Sequence, residues 1–132
     1  MVEEGVTTIE NMSVVDFKQI LGEIDNKILI IKFSAGWCKP CQKIKPFVEY
    51  AFTTLPQNVI TIENDIDETM DLYASLKRKK MVKGVPTILA YYGDTQRIDD
   101  QWYVSDASVS GCDENNVGAF FQECIEKANA LL

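Results

Sequence analysis

Apolar residues recur along this chain in two alternating rhythms. Continuous apolar runs at Ile28-Leu29-Ile30-Ile31, Val59-Ile60-Thr61-Ile62 and residues 87–92 predict strands, and residues 6–9 predict a further one. The isoleucine-rich run over 28–33 has no polar face until Lys32, as expected of a strand covered on both sides. Between these runs the spacing turns helical. Phe17, Ile20, Leu21 and Ile24 follow Ser13, a helix cap with Asp16 three positions on. Ile44, Phe47, Val48 and Phe52 define a second helix from near Pro40 to about Leu55. Pro46 inside it removes the bond to the Gln42 carbonyl and predicts a kink. Asp67 is the expected cap of a third helix, ending in the cations at 77–80 that suit a helix C-terminus. A last helix, capped near Asp113, carries the stripe Val117, Phe120, Phe121, Cys124, Ile125, Ala128 and Leu131.

Gly93-Asp94 marks a turn after the fourth strand. In residues 95–110, Val104 and Val109 suggest a strand, within a segment polar enough to be a long loop. The order is therefore β-α-β-α-β-α-β-(β)-α. It predicts an α/β protein whose central mixed, mainly parallel sheet has helices on both faces and a hairpin near the end. A chain of 132 residues can bury its own core, and residues 1–132 read as a single domain.

Composition narrows the possibilities. A net charge of −7 argues against nucleic-acid binding. No apolar run approaches a membrane span, and the first ten residues lack the apolar core of a signal peptide. A reducing compartment, the cytoplasm, is the expectation, and there cysteines stay free unless they do redox work or bind metal. The chain has no histidine, which removes Ser-His and Cys-His nucleophilic schemes. Charge is uneven: nine of the 13 Lys and Arg are Lys32, Lys39, Lys43, Lys45, Lys77, Arg78, Lys79, Lys80 and Lys83. Residues 94–114 instead hold Asp94, Asp99, Asp100, Asp106, Asp113 and Glu114 against Arg97 alone.

Cys38-Lys39-Pro40-Cys41 lies where a strand passes into a helix. A sulfur there faces unpaired backbone N–H groups and the positive end of the helix dipole, and both favour the nucleophilic thiolate. Lys39 adds a cation. The spacing lets a second thiol reach back, close a small ring and release whatever the first one attacked. The same C-x-x-C is half of a zinc site. Its other half would be Cys112 and Cys124, spaced unlike a metal knuckle, so neither metal nor cofactor is expected. Cys124 lies on an apolar stripe and reads as a small core residue rather than a redox centre; Cys112, just before that helix, reads as an exposed bystander, with a regulatory or intermolecular disulfide as the other reading.

Trp37-Cys38-Lys39-Pro40-Cys41, with Phe33-Ser34-Ala35 before it and Lys45-Pro46-Phe47 after it, resembles the thioredoxin family, particularly its eukaryotic type. Gly84-Val85-Pro86-Thr87 matches that family's cis-proline segment. The resemblance implies a thioredoxin fold and a protein disulfide reductase. Cys38, exposed, would attack a substrate disulfide, and the more buried Cys41 would resolve the mixed disulfide. Val85, cis-Pro86 and Thr87 would meet the substrate backbone, and Trp37 would shield the sulfurs. The implied partners are disulfide-containing proteins and a thioredoxin reductase or another dithiol donor. The protein is expected to be monomeric, with roles in electron transport and cell redox homeostasis.

Three departures from the family stand out. Lys32 occupies the place where thioredoxins usually carry a buried aspartate behind the second cysteine. The lysine could lose its proton on burial and act as a base, stay charged and stabilise the Cys41 thiolate, or snorkel to water or a carboxylate. Sequence reasoning favours the charged or snorkelled forms. A charged Lys32, like Lys39, implies a less negative reduction potential than a typical thioredoxin, and with it an oxidase or isomerase as the alternative. A thioredoxin-fold binding module with a dispensable dithiol is a third reading. The second departure is a longer stretch before Gly84 that carries the basics at 77–83. With the lysines near Cys38 it could form a positive rim that steers acidic substrates. The third is the extended segment 93–111, in which Trp102 and Tyr103 sit among acids. It is expected to pack back onto the sheet, with a partner-docking loop as the other reading.

Overall fold

A computed structural model describes residues 8–132 and has the element order read from the sequence. The strands are β1 (Thr8–Glu10), β2 (Ile28–Ser34), β3 (Val59–Asp65), β4 (Thr87–Tyr92) and β5 (Ala107–Ser110). The helices are α1 (Val14–Leu21), α2 (Lys39–Thr53), α3 (Asp71–Arg78) and α4 (Glu114–Ala130). Of the strand expected over 6–9, residues 6 and 7 lie outside the described residues.

The sheet order is β1-β3-β2-β4-β5. β1 and β2 pair parallel with β3, β4 runs antiparallel to β2, and β5 forms an antiparallel pair with β4. The most apolar strand, β2, thus takes the centre. Its residues 28–33 are all buried, because β2 has a strand on each side and helices above and below. Leu29, Ile31 and Phe33 pack with Phe17, Leu72 and Leu76 under α1 and α3. Ile28 and Ile30 face Ile44, Val48, Phe52, Phe120 and Phe121 of α2 and α4. Each such side chain contributes about 1.5–3 kcal/mol by leaving water.

Local signals fix most boundaries. The Ser13 side chain accepts the Asp16 N–H, and Asp113 accepts those of Asn115 and Asn116. The third helix departs from expectation. The Asp65 side chain accepts the Asp67 N–H, and its carbonyl accepts the N–H groups of Glu68 and Thr69. Asp67 is therefore held in a turn, and α3 starts only at Asp71. Pro46 stands inside α2, which continues through it to Thr53.

The segment after β4 packs back, as expected. Trp102 meets Phe17 edge-on at 6.2 Å, and the Tyr91 hydroxyl donates to the Tyr103 carbonyl. Lys18 lies over the Trp102 ring and Lys79 over Tyr103. Arg97 forms an ion pair with Asp106, whose carboxylate also accepts the Tyr92 N–H. Only Ala107–Ser110 forms a strand; Val104 lies outside it and is exposed.

At the turn after β4, the Gly93 N–H donates to the Lys27 carbonyl, and a Cβ on Gly93 would fall 1.8 Å from the Asp25 carbonyl oxygen. That backbone cannot move aside without breaking the pairing at the end of β2. Gly93→Ala is expected to destabilise the fold by about 1–3 kcal/mol. Urea denaturation should show it as a lower midpoint with unchanged slope.

Candidate active site

β2 ends at Ser34, and the chain turns through Ala35-Gly36-Trp37 into α2. The turn is pinned twice on one acceptor, since the Cys38 N–H and the Gln42 side-chain amide both donate to the Ala35 carbonyl. Cys38 is itself the cap of α2: its Sγ accepts the Cys41 N–H at 3.2 Å, and its carbonyl accepts the Gln42 N–H. Pro40, in the first helical turn, gives up no bond there because that N–H would be unpaired anyway. Cys38 and Cys41 form a disulfide, with Cα atoms 5.2 Å apart.

From the other side comes the start of β4. The Val85–Pro86 peptide is cis, as expected, and the Val85 carbonyl oxygen lies 3.7 Å from Cys38 Sγ. Thr87 braces the segment by donating to the Gly84 carbonyl and meeting the Ser110 hydroxyl. The Gly111 N–H donates to the Pro86 carbonyl from a residue at φ 89°, a backbone conformation that favours glycine.

Burial corrects the expectations for Cys38 and Cys112. Cys38 is 5% exposed, not open, because in the disulfide its sulfur tucks beneath the Val85 carbonyl; Cys41 is deeper still. Trp37 is 67% exposed beside it, which excludes a core role. Lys39 is exposed, and Pro86 and Thr87 are buried. Cys124 is fully buried, and burial, reinforced by Glu123, pushes its thiol up to about 12. Cys112 is half-buried rather than exposed, packed against the α2–α4 side of the core.

Lys32 is 2% exposed. Its strand is central, and α2 lies over the same face. Lys32 lines a cleft of about 420 Å³ together with Cys41, Glu10, Asn11, Lys45, Glu63, Asp65 and Glu68, among others. Burial lowers its pKa from the ordinary lysine value; Glu63 and Glu49 oppose the shift, and Lys45 adds to it. Glu63, beside Lys32 in the β2–β3 register, is the residue sequence reasoning missed. Strand alternation flags it as half-buried, but register is not written in either strand alone.

The basic stretches do not merge along the helices, since α2 and α3 cover opposite faces of the sheet. Lys77 and Lys79 lie over Tyr73 and Tyr103. Lys83 remains exposed two residues before Val85. Among the described residues, no helix is long and apolar enough to cross a membrane.

The family model described as Thioredoxin matches residues 8–107. Thioredoxin 3 of Plasmodium falciparum is 31% identical over 121 residues, which cover 91% of this chain and 61% of that protein. Rabbit (Oryctolagus cuniculus) thioredoxin is 38% identical over 76 residues, covering 58% of this chain and 70% of its own. A solved Plasmodium falciparum thioredoxin superposes with a TM-score of 0.65 at 23% identity, over 87% of this chain and 97% of that one.

In the reduced protein, iodoacetamide at neutral pH is expected to alkylate Cys38 faster than free cysteine and to leave Cys124 unmodified, as peptide mass mapping over time would show. Equal rates at Cys38 and free cysteine would remove the case for a thiolate stabilised by the helix start.

Proposed function

The chain belongs to the thioredoxin family of thiol–disulfide oxidoreductases, and from that premise we propose that it reduces disulfides in other proteins with the Cys38–Cys41 dithiol. The single observation that supports these roles is Cys38 acting as the cap of α2, its sulfur against the Cys41 N–H and the Val85 carbonyl. The Cys38 thiolate attacks a substrate disulfide, forming a Cys38–substrate bond and expelling one substrate thiolate. Cys41, as thiolate, then attacks Cys38 Sγ. The Cys38–Cys41 bond forms, and the second substrate sulfur leaves with the electron pair. Two electrons pass to the substrate, and a dithiol donor such as a thioredoxin reductase restores them. Val85 and Pro86 offer backbone to an extended substrate segment, Thr87 holds that backbone in place, and exposed Trp37 offers it an apolar face. The oxidase or isomerase and the dispensable-dithiol readings have no such observation in their favour.

Lys39, beside Cys38, and Lys83, just before Val85, are exposed on the two segments that meet at the sulfur. They support a preference for substrates with acidic residues next to the disulfide. The setting proposed for the protein is the cytoplasm and the state proposed is a monomer.

Insulin reduction followed by turbidity tests the roles. Cys38→Ser is expected to abolish turnover, and Cys41→Ser to accumulate a mixed disulfide through Cys38. Full activity in Cys38→Ser would sink the reading. Raising the salt concentration should slow reduction of an acidic disulfide peptide more than that of a basic one of the same length; equal slowing would remove the charge preference.

A further inference from the structure

Two features that set this chain apart in sequence, the basic stretch at 77–83 and the long segment after β4, meet on one face of the fold. Lys79 lies 4.7 Å from the centroid of the Tyr103 ring, and Lys77 lies 5.7 Å from that of Tyr73. The rings hold both ammoniums in place, and a ring face attracts a cation without neutralising it. Arg78 and Lys80 stand exposed beside them. The ion pairs among the described residues are Arg97–Asp106 and Lys127–Asp94, so no carboxylate pairs with any of these four cations. Lys18, on the other flank, shares its cleft with Asp25 and Asp99, which leaves the uncompensated charge at the end of α3.

The backbone adds a second observation. The Met81 N–H donates to the Leu76 carbonyl and the Lys80 N–H to that of Lys77, closing α3 in the paired manner that ordinarily calls for glycine. Lys80 holds that glycine position at φ 65°, in the left-handed region. A glycine would make the turn with less strain, so the turn itself gives no reason for a lysine.

We infer that the basic end of α3, Lys77 to Lys80, is a docking surface for an acidic segment of the disulfide protein that reacts at Cys38. The inference rests on the dithiol reading above and deepens it. Lys39 and Lys83 face residues next to the partner's disulfide, whereas this surface meets residues farther along its chain. From Lys80 to Val85 the chain spans at most about 18 Å, so a partner segment of five or six extended residues bridges the sulfur and the surface. Charge complementarity selects the occupant: four unpaired cations on a protein of net charge −7 favour a local run of carboxylates. A nucleic acid fits less well. The rest of the protein repels a polyanion, and Lys77 and Lys79 occupy the ring faces on which bases would stack. A second copy offers no matching run, because Asp94 and Asp106 are paired and Asp113 caps α4.

Two synthetic peptides of equal length, each with one internal disulfide and no charge near it, test the surface. One carries four glutamates on each flank, five to eight residues from the disulfide; the other carries glutamines there. At low salt, wild type is expected to reduce the glutamate peptide with a kcat/KM about tenfold higher. The combined variant Lys77→Gln, Arg78→Gln, Lys79→Gln and Lys80→Gln should lose that preference through KM, with kcat and the glutamine peptide unaffected. Lys77→Arg with Lys79→Arg and Lys80→Arg should keep it, and circular dichroism verifies both folds. Equal rates for the two peptides with wild type, or an undiminished preference in the folded glutamine variant, overturn the inference alone. Amide shifts on adding a serine-for-cysteine version of the glutamate peptide read the surface without turnover. They are expected at residues 77–83 of wild type, and their absence overturns the inference. A single-stranded oligonucleotide of equal charge, or phosphatidylserine vesicles, producing the same shifts at equal or lower concentration overturns the assignment to a protein segment. Self-association in sedimentation that the glutamine variant abolishes does so in favour of a second copy. Failure of wild type to reduce either peptide overturns the dithiol reading itself, and the shifts then decide the surface separately.

Discussion

The active site depends on one sulfur acting as a helix cap. Cys38 Sγ accepts the Cys41 N–H, so one interaction ends β2's turn, starts α2 and sets the spacing between the two cysteines. An ordinary cap would use a hydroxyl or carboxylate oxygen for this. A sulfur there gains the same N–H and the same dipole, and as a thiolate it gains more, because charge-assisted hydrogen bonds are roughly twice as strong as neutral ones. The cis Val85–Pro86 segment then closes over it from β4, the strand paired with β2 on its other side. The nucleophile and its substrate-facing backbone are thus fixed to neighbouring strands of a rigid sheet.

A charge in the middle of a central strand needs a physical reason. Ile28 and Ile30 share a strand face with Lys32 and are fully buried, but Lys32 sits at the end of that face, where α2 begins and a cleft opens. Burial there lowers the lysine's proton affinity, and Glu63 and Glu49 oppose the shift. The same cleft is walled by Cys41.

The longer segment after β4 shows how polar sequence can still be ordered. Its acids do not form one repelling patch. Asp106 accepts from the Tyr92 N–H and Thr95 hydroxyl and pairs with Arg97, while Asp94 pairs with Lys127 of α4. Trp102 packs beneath Lys18 of α1, and two cations of the basic stretches, Lys77 and Lys79, cover the rings of Tyr73 and Tyr103 instead of facing solvent alone. Part of the positive surface suggested by the sequence is held in place this way.

The element order, the central place of 28–33, the caps at Ser13 and Asp113 and the Cys38–Cys41 pair were legible because each rests on local physics. Periodicity, cap chemistry and two-residue spacing act within one or two turns of chain. Asp67 was misread because a competing turn at Asp65, equally local, wins over a cap that depends on where α3 packs. Strand register, the depth of Cys38 beneath Val85, the partners that hold the 93–111 segment and the meeting of Lys32, Glu63 and Cys41 in one cleft were decided only in three dimensions. They join residues distant in sequence, and which of them share a dry volume is set by sheet pairing and packing, which no local pattern records.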